Sequence, residues 1–103
     1  MVATLKIGFL GAGKMATALA KGFVAAGLTT AKQIIASDPV NAARKYFAEE
    51  TGAKVTNSNL EVVRVANILV LAVQPGNVAE LLQQISGDFS EKHLLISIAA
   101  GVP

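Results

Sequence analysis

The sequence predicts an α/β fold, in which one open, doubly wound, mainly parallel sheet carries helices on both faces. Short apolar runs of strand length alternate along the chain with segments of helical spacing, and this order is typical of parallel strands joined by crossover helices. The longer runs are apolar at nearly every position, as in strands that are covered on both faces. The composition is 52% hydrophobic but only 5% aromatic, so aliphatic side chains would form most of the core.

The apolar runs predict five strands, at residues 5–10, 33–37, 53–55, 67–73 and 93–99. Helical spacing separates them at residues 14–26, 40–51, 59–65 and 76–86. A glycine follows three of these helices, at the position where helices commonly end. The third begins at "NSN", where Asn or Ser can cap. In the first helix, the spacing predicts a packed stripe made of Met15, Leu19, Gly22, Phe23 and Ala26.

Length and composition narrow the class of protein. The 103 residues are expected to form one domain, residues 1–103, and the chain has no cysteine, which favours a reducing cytoplasm. The net charge is only +2 and the basic residues are spread along the chain, unlike a nucleic-acid footprint. The N-terminus lacks the pattern of a signal peptide, and no apolar run approaches the roughly 18 residues of a membrane span. We therefore expect a cytoplasmic protein without a nucleic-acid or membrane partner.

The first strand runs into a glycine turn. Residues 11–16 read G-A-G-K-M-A, which matches the G-x-G-x-x-G/A pattern of dinucleotide sites. In such sites Gly11 would make the tight turn, Gly13 would let a pyrophosphate approach the backbone, and Ala16 would let helix and strand pack closely. The start of the next helix would offer free N–H groups to the phosphates. A purely local steric turn is the alternative, but the strand before and the helix after favour a phosphate site.

Asp38 follows the second strand, about 25 residues after Gly13 and somewhat later than the roughly 20 expected of a ribose-binding acid. An aspartate there would accept hydrogen bonds from the ribose hydroxyls and repel a 2′-phosphate, which favours NAD over NADP. In the other interpretation, "SDP" is a helix start with Asp38 as N-cap and Pro39 in the first position. Ser37 could donate to a hydroxyl or to a 2′-phosphate. The choice between the two nucleotides stays open at this point.

The fourth strand ends in "AVQP", residues 72–75. In open α/β sheets ligands bind at the carboxyl ends of strands where the strand order reverses, and the first and fourth strands normally flank that point. Ala72, Val73, Gln74 and Pro75 are therefore expected to meet a ribose of the dinucleotide. "SIAAGVP", after the fifth strand, would approach the nicotinamide.

The motifs "GFLGAGKMATALAKG", "IIASDP", "LVLAVQP" and "ISIAAGV" occur in this order, and with them the chain resembles the N-terminal cofactor-binding domain of the pyrroline-5-carboxylate reductases. The resemblance spans essentially all 103 residues and implies a Rossmann-like fold. It also implies reduction of 1-pyrroline-5-carboxylate to L-proline, in proline biosynthesis, with NADPH or NADH. Members of the family are homo-oligomers whose second, helical half forms the dimer and carries most substrate contacts.

The resemblance also implies a set of cofactor contacts. These are Leu10, Gly11, Ala12, Gly13, Lys14 and Met15 at the pyrophosphate, Ser37 and Pro39 near the adenosine ribose, Asn59 near a 2′-phosphate, and Val73, Gln74 and Ala100 near the nicotinamide ribose. The sequence departs from the family at Gln74, where lysine is common, and at Asp38.

No catalytic residue is expected within this chain, because the helical half does not follow Pro103. We therefore expect a truncated chain or an excised domain. The single histidine, His93, and the lack of cysteine argue against a Ser-His-Asp triad or a metal site. The alternatives are another NADP-dependent reductase or dehydrogenase with the same N-terminal motifs, such as a 3-hydroxyacid dehydrogenase or a deazaflavin-dependent NADP reductase, and a non-catalytic dinucleotide-binding module.

Overall fold

The structure is a computed structural model that describes residues 5–73, 75–87 and 94–97. Five strands lie within these ranges: β1 Ile7–Leu10, β2 Ile34–Ser37, β3 Lys54–Thr56, β4 Ile68–Leu71 and β5 Leu94–Ser97. They alternate with four α-helices: α1 Lys14–Ala25, α2 Asn41–Thr51, α3 Asn59–Val65 and α4 Val78–Ile85. Short 3-10 turns at Ala31–Gln33 and Pro75–Asn77 precede β2 and α4. The predicted alternation of strands and helices is confirmed, although β4 ends at Leu71 rather than at residue 73.

The five strands form one parallel sheet in the order β3-β2-β1-β4-β5. Ile7 lies opposite Ile34 on one side and Ile68 on the other. The chain builds the sheet outwards from β1 to β3, then returns to the other side of β1 for β4 and β5. This order is that of a Rossmann-like sheet, and the reversal between β1 and β4 creates a crevice at the carboxyl ends of the strands.

A separate apolar cluster covers each face of the sheet, because successive strand residues point to opposite faces. One cluster joins the sheet to α1 and α2, and its buried members are Ile7, Phe9, Ala12, Ala16, Ala20, Ile34, Ala36, Phe47, Ala53 and Val70. The other joins the opposite face to α3 and α4, and comprises Leu10, Ile35, Val62, Val63, Ala66, Leu69, Leu71, Leu81 and Ile85. The prediction of helices on both faces is therefore confirmed.

The predicted packing stripe of α1 is wrong in part. Met15 is 50% exposed, and Gly22 and Ala26 are also exposed. The face that packs on the sheet is built mainly from small residues, with Ala16, Thr17 and Ala20 buried and Leu19 and Phe23 partly buried. At the start of the helix the buried positions, Ala16 and Thr17, carry small side chains. Apolar spacing gives more weight to large side chains and therefore predicted Met15 in the packed stripe.

The start of α3 is fixed by polar contacts from β3. Ser58 caps the helix by accepting a hydrogen bond from the Glu61 N–H at 3.2 Å, as "NSN" predicts. The Glu61 carboxylate accepts from the Thr56 hydroxyl at 2.7 Å and pairs with Lys54 Nζ at 3.1 Å. These contacts with Thr56 and Lys54 lower the pKa of Glu61 below its ordinary value.

The lowered pKa of Glu61 predicts a pH dependence of stability. Because the folded protein favours the ionised form, its contribution is present above the ordinary pKa of a glutamate and is lost as the pH falls through the lowered value. Glu61→Gln should therefore lower the stability slightly at neutral pH, since the pair is exposed, and should flatten the acid limb of the stability curve by the same small amount. Urea unfolding of both proteins between about pH 3 and pH 7 checks this. An acid limb unchanged by the substitution would contradict it.

Candidate functional site

A cleft of about 580 Å³ opens beyond the carboxyl ends of β1, β2 and β4, where the strand order reverses. Its volume is within the range of small-molecule sites, about 300–1,000 Å³. Among the described residues, six of those predicted from the sequence line it: Gly13, Asp38, Pro39, Asn59, Ala72 and Val73. The other described residues that line it are Val40, Ala43, Asn77, Glu80, Leu81 and Gln84.

The turn at Gly11 is held between the ends of two neighbouring strands. The Gly11 N–H donates to the Ser37 carbonyl at 2.7 Å, and the Ala72 N–H donates to the Leu10 carbonyl at 2.9 Å. Gly11 has a φ of +117°, which side chains rarely adopt, and an added Cβ would lie 2.7 Å from the Ala72 carbonyl oxygen. Glycine is therefore required here both by the backbone conformation and by the close approach of the chain after β4.

Gly13 presents an open face to the cleft. It is the N-cap of α1 and supplies no side-chain cap, so the first N–H groups of the helix have no capping partner from this residue. An added Cβ would meet no atom within 4 Å, which leaves room beside the backbone. An uncapped helix start next to empty space fits a phosphate group, which the helix dipole and the N–H groups would stabilise.

The other residues predicted to contact the pyrophosphate differ in how far they are exposed beside Gly13. Leu10 and Ala12 are fully buried in the core, so only their backbone could contact a ligand. Lys14 and Met15 are exposed at the start of α1. The Thr17 hydroxyl donates to the Gly13 carbonyl at 2.9 Å, which fixes the first turn of the helix.

Asp38 does not cap α2. That helix begins at Asn41, with Val40 as N-cap and no side-chain cap bond, so "SDP" as a helix start is wrong by two positions. Asp38 Oδ1 instead accepts from the Val40 N–H at 2.9 Å, within its own turn. Oδ2 accepts from the Ala12 N–H at 3.0 Å. The carboxylate therefore bridges the end of β2 to the glycine turn, through a contact between residues that are distant in the sequence.

A chain of hydrogen bonds links the end of β2 to α4. Ser37 is fully buried, and its hydroxyl donates to Asn59 Oδ1 at 2.5 Å. Asn59 Nδ2 in turn donates to Gln84 Oε1 at 2.8 Å. Ser37 thus lies behind Asn59, and of the two it is Asn59 that lines the cleft. This arrangement fixes the orientation of the Asn59 amide.

The β4 side of the cleft is formed by Ala72, Val73 and α4. Pro75 begins the 3-10 turn that leads into this helix, while Gln74 and Ala100 lie outside the described residues. Sequence reasoning missed the contribution of α4, which faces the cleft through Asn77, Glu80, Leu81 and Gln84. These four positions follow the i, i+3, i+4, i+7 spacing of one helix face. The helix follows β4, which lies beside the point where the strand order reverses. This spacing in the sequence could therefore have identified the four residues that line the cleft.

Metal ligands and membrane-spanning helices are two further features that bear on function. Within the described part of the chain, no group of three or more His, Cys, Asp or Glu side chains could hold a metal ion. None of the helices there combines the length and the apolar character that crossing a membrane requires.

Comparison of the sequence and of the structure with known proteins gives pyrroline-5-carboxylate reductases in both cases. Pyrroline-5-carboxylate reductase 2 of Rattus norvegicus is 43% identical over 104 residues, which cover 95% of this chain and 31% of that protein. The solved pyrroline-5-carboxylate reductase of Coxiella burnetii matches 98% of this chain and 37% of its own at 30% identity, with a TM-score of 0.87. The Plasmodium falciparum pyrroline carboxylate reductase, solved with NADP bound, matches 95% and 34% at 30% identity, with a TM-score of 0.75.

The chain spans about a third of the length of these relatives. Their names confirm the resemblance that its four motifs indicate. The model of the family described as NADP oxidoreductase, coenzyme F420-dependent, matches residues 6–101. That range takes in β1, the glycine turn, Asp38 and every residue of the cleft. The chain belongs to this family of NADP oxidoreductases.

Proposed function

We propose that this chain is the cofactor-binding domain of a pyrroline-5-carboxylate reductase, an oxidoreductase that reduces 1-pyrroline-5-carboxylate to L-proline with NADPH or NADH. The observation that carries the proposal is the 43% identity to a reductase of that name over 95% of the chain. The geometry supports it, because the cleft, the open Gly13 and the uncapped start of α1 suit a dinucleotide phosphate.

In this proposal the residues of the chain bind and orient the cofactor. The first N–H groups of α1 hold the pyrophosphate at Gly13, while Asp38, Pro39 and Asn59 surround the adenosine ribose. Ala72 and Val73 meet the second ribose, and Gln74 and Ala100 are predicted to join them. Rigid attachment of these residues to strand ends and helix starts keeps the two halves of the dinucleotide at a fixed spacing.

A bound reduced nicotinamide would supply the hydride that adds to the imine carbon. No residue of this chain is assigned a catalytic role, since the resemblance implies that most substrate contacts come from a second, helical half of the full-length protein. A homo-oligomeric full-length protein and a cytoplasmic location form part of the same proposal.

Binding of the cofactor is the first test. The chain should quench or enhance the fluorescence of NADH or NADPH in a saturable titration with one site per chain, because Gly13 and the start of α1 line one cleft. Binding of neither nucleotide would overturn the proposal.

Turnover is the second test, and it separates two candidate activities. The full-length protein should oxidise its reduced nicotinamide when 1-pyrroline-5-carboxylate is supplied. The family description favours a second candidate, hydride exchange between NADP and the deazaflavin coenzyme F420. Turnover with F420 and none with the cyclic imine would establish that candidate instead.

A further inference from the structure

Two side chains hold the Asn59 amide at the wall of the cleft. The Ser37 hydroxyl donates to Asn59 Oδ1 at 2.5 Å, and Asn59 Nδ2 donates to Gln84 Oε1 at 2.8 Å. Ser37 is fully buried at the end of β2, whereas Gln84 is exposed on α4. The amide is therefore fixed by the core on one side and by a different helix on the other.

These contacts leave one donor of the Asn59 amide for a ligand. A side-chain amide has two N–H donors and one carbonyl acceptor. Ser37 uses the carbonyl oxygen and Gln84 uses one N–H, while the second N–H has no acceptor among the described residues. Asn59 is half-buried and lines the cleft, so the group that it offers to a ligand there is a hydrogen-bond donor.

Gln84 determines which atom of the amide is offered. If the Asn59 amide turned by 180°, its oxygen would lie where the nitrogen now lies, and the ligand would meet an acceptor instead of a donor. Gln84 Oε1 opposes that arrangement, because two oxygens would then face each other without a hydrogen between them.

We infer that Gln84 is a positioning residue of the dinucleotide site, which holds the Asn59 amide so that its second N–H faces an oxygen of the bound nucleotide. The inference rests on the proposed function, which places Asn59 beside the adenosine ribose. A donor that is already fixed loses less conformational freedom when the ligand binds than a donor that must first be ordered. In this way α4 contributes to binding through a residue of α3, for NADH and NADPH alike.

The test is a fluorescence titration of NADH and NADPH with the unmodified protein, Gln84→Leu and Gln83→Leu. Gln84→Leu should weaken binding of both nucleotides by about fivefold, the usual effect of losing one hydrogen bond. Gln83→Leu is the matched control, because Gln83 is an exposed residue of the same helix and is not among the described residues that line the cleft. It should bind both nucleotides normally.

A double-mutant cycle with Asn59→Ala measures whether Gln84 acts through Asn59. Asn59→Ala alone should weaken binding at least as much as Gln84→Leu does, because it removes the donor itself. In the Asn59→Ala protein, Gln84→Leu should change the dissociation constant by less than about twofold. A glutamine that only stabilised α4 would give the same loss in both backgrounds.

NMR spectra of the isotope-labelled protein test the contact without a nucleotide. The side-chain amide resonances of Asn59, identified by their loss in Asn59→Ala, should shift in Gln84→Leu and stay nearly unchanged in Gln83→Leu. Gln84→Glu should shift them less than Gln84→Leu does, because a carboxylate oxygen still accepts a hydrogen bond from the Asn59 amide.

The outcomes separate the two proposals. Equal binding by Gln84→Leu and Gln83→Leu, additive losses in the cycle, or Asn59 resonances that Gln84→Leu leaves in place would each overturn the role of Gln84 while the dinucleotide site stands. Failure of the unmodified protein to bind either nucleotide overturns the proposed function and this inference with it.

Discussion

Gly13→Val is expected to weaken dinucleotide binding by about a hundredfold, ~2.7 kcal/mol, while the protein stays folded. The valine side chain would occupy the space beside the start of α1 where phosphate oxygens reach the N–H groups. The fold should tolerate it, because an added Cβ meets no atom within 4 Å and the φ of −76° is open to any residue. Loss of the glycine N-cap should cost no more than about 1 kcal/mol. Fluorescence titration with NADH and NADPH measures the first effect and thermal unfolding the second.

Gly22→Val is the matched control for this experiment. Gly22 lies in the same helix, and an added Cβ there also meets no atom within 4 Å, but the residue does not line the cleft. It should bind both nucleotides normally. If Gly13→Val bound them as well as Gly22→Val does, the glycine turn would be a local steric device and not a phosphate site.

Gly8→Ala is expected to cause the largest loss of stability among conservative changes in the sheet. An added Cβ on β1 would overlap Val62 Cγ1 and would lie 2.8 Å from Ala66 Cβ, on α3 and at its C-cap. The Ala66 contact cannot be relieved by rotating a side chain, so α3 would have to move from the sheet. Overpacking of this kind costs about 1–3 kcal/mol, or roughly 4–8 °C in Tm per kcal/mol for a domain of this size.

Val62→Ala provides the test of that mechanism. Alone it should destabilise the protein by leaving a cavity on the α3 face of the sheet, where Val62 is fully buried. When Gly8→Ala and Val62→Ala are combined, the methyl group added on β1 would take up part of that space, so the combined loss should be smaller than the sum of the two. Strictly additive losses in chemical unfolding would show that Gly8 is not required by its contact with Val62.

Strand and helix order could be predicted from the sequence because they depend on local patterns. The runs that became β1 and β4 are apolar at almost every position, and the glycine turn joins β1 to α1 through residues that are adjacent in the chain. Gly11 and Gly13 were singled out for the same reason. The turn needs the positive φ that Gly11 adopts, while Gly13 leaves room beside the helix start. A six-residue pattern records both requirements.

The α1 stripe and the role of α4 could not be predicted in this way. Met15 and Ala16 are neighbours in one helix, and only the approach of α1 to the sheet decides that the alanine is buried and the methionine exposed. Likewise Glu80 and Gln84 line the cleft because Leu81 and Ile85 pack α4 against the same face of the sheet as α3. Helix spacing defines faces but does not say what each face meets.

By itself, the sequence determined the fold class, the position of the glycine turn and the family resemblance, since each depends on residues that are near one another in the chain. The tertiary structure alone decided what Asp38 does. Two local interpretations, a helix cap and a ribose acid, were compatible with "SDP". The parallel pairing of β1 with β2 brings Asp38 within 3.0 Å of an amide 26 positions away, and that contact fixes a charge on the wall of the cleft.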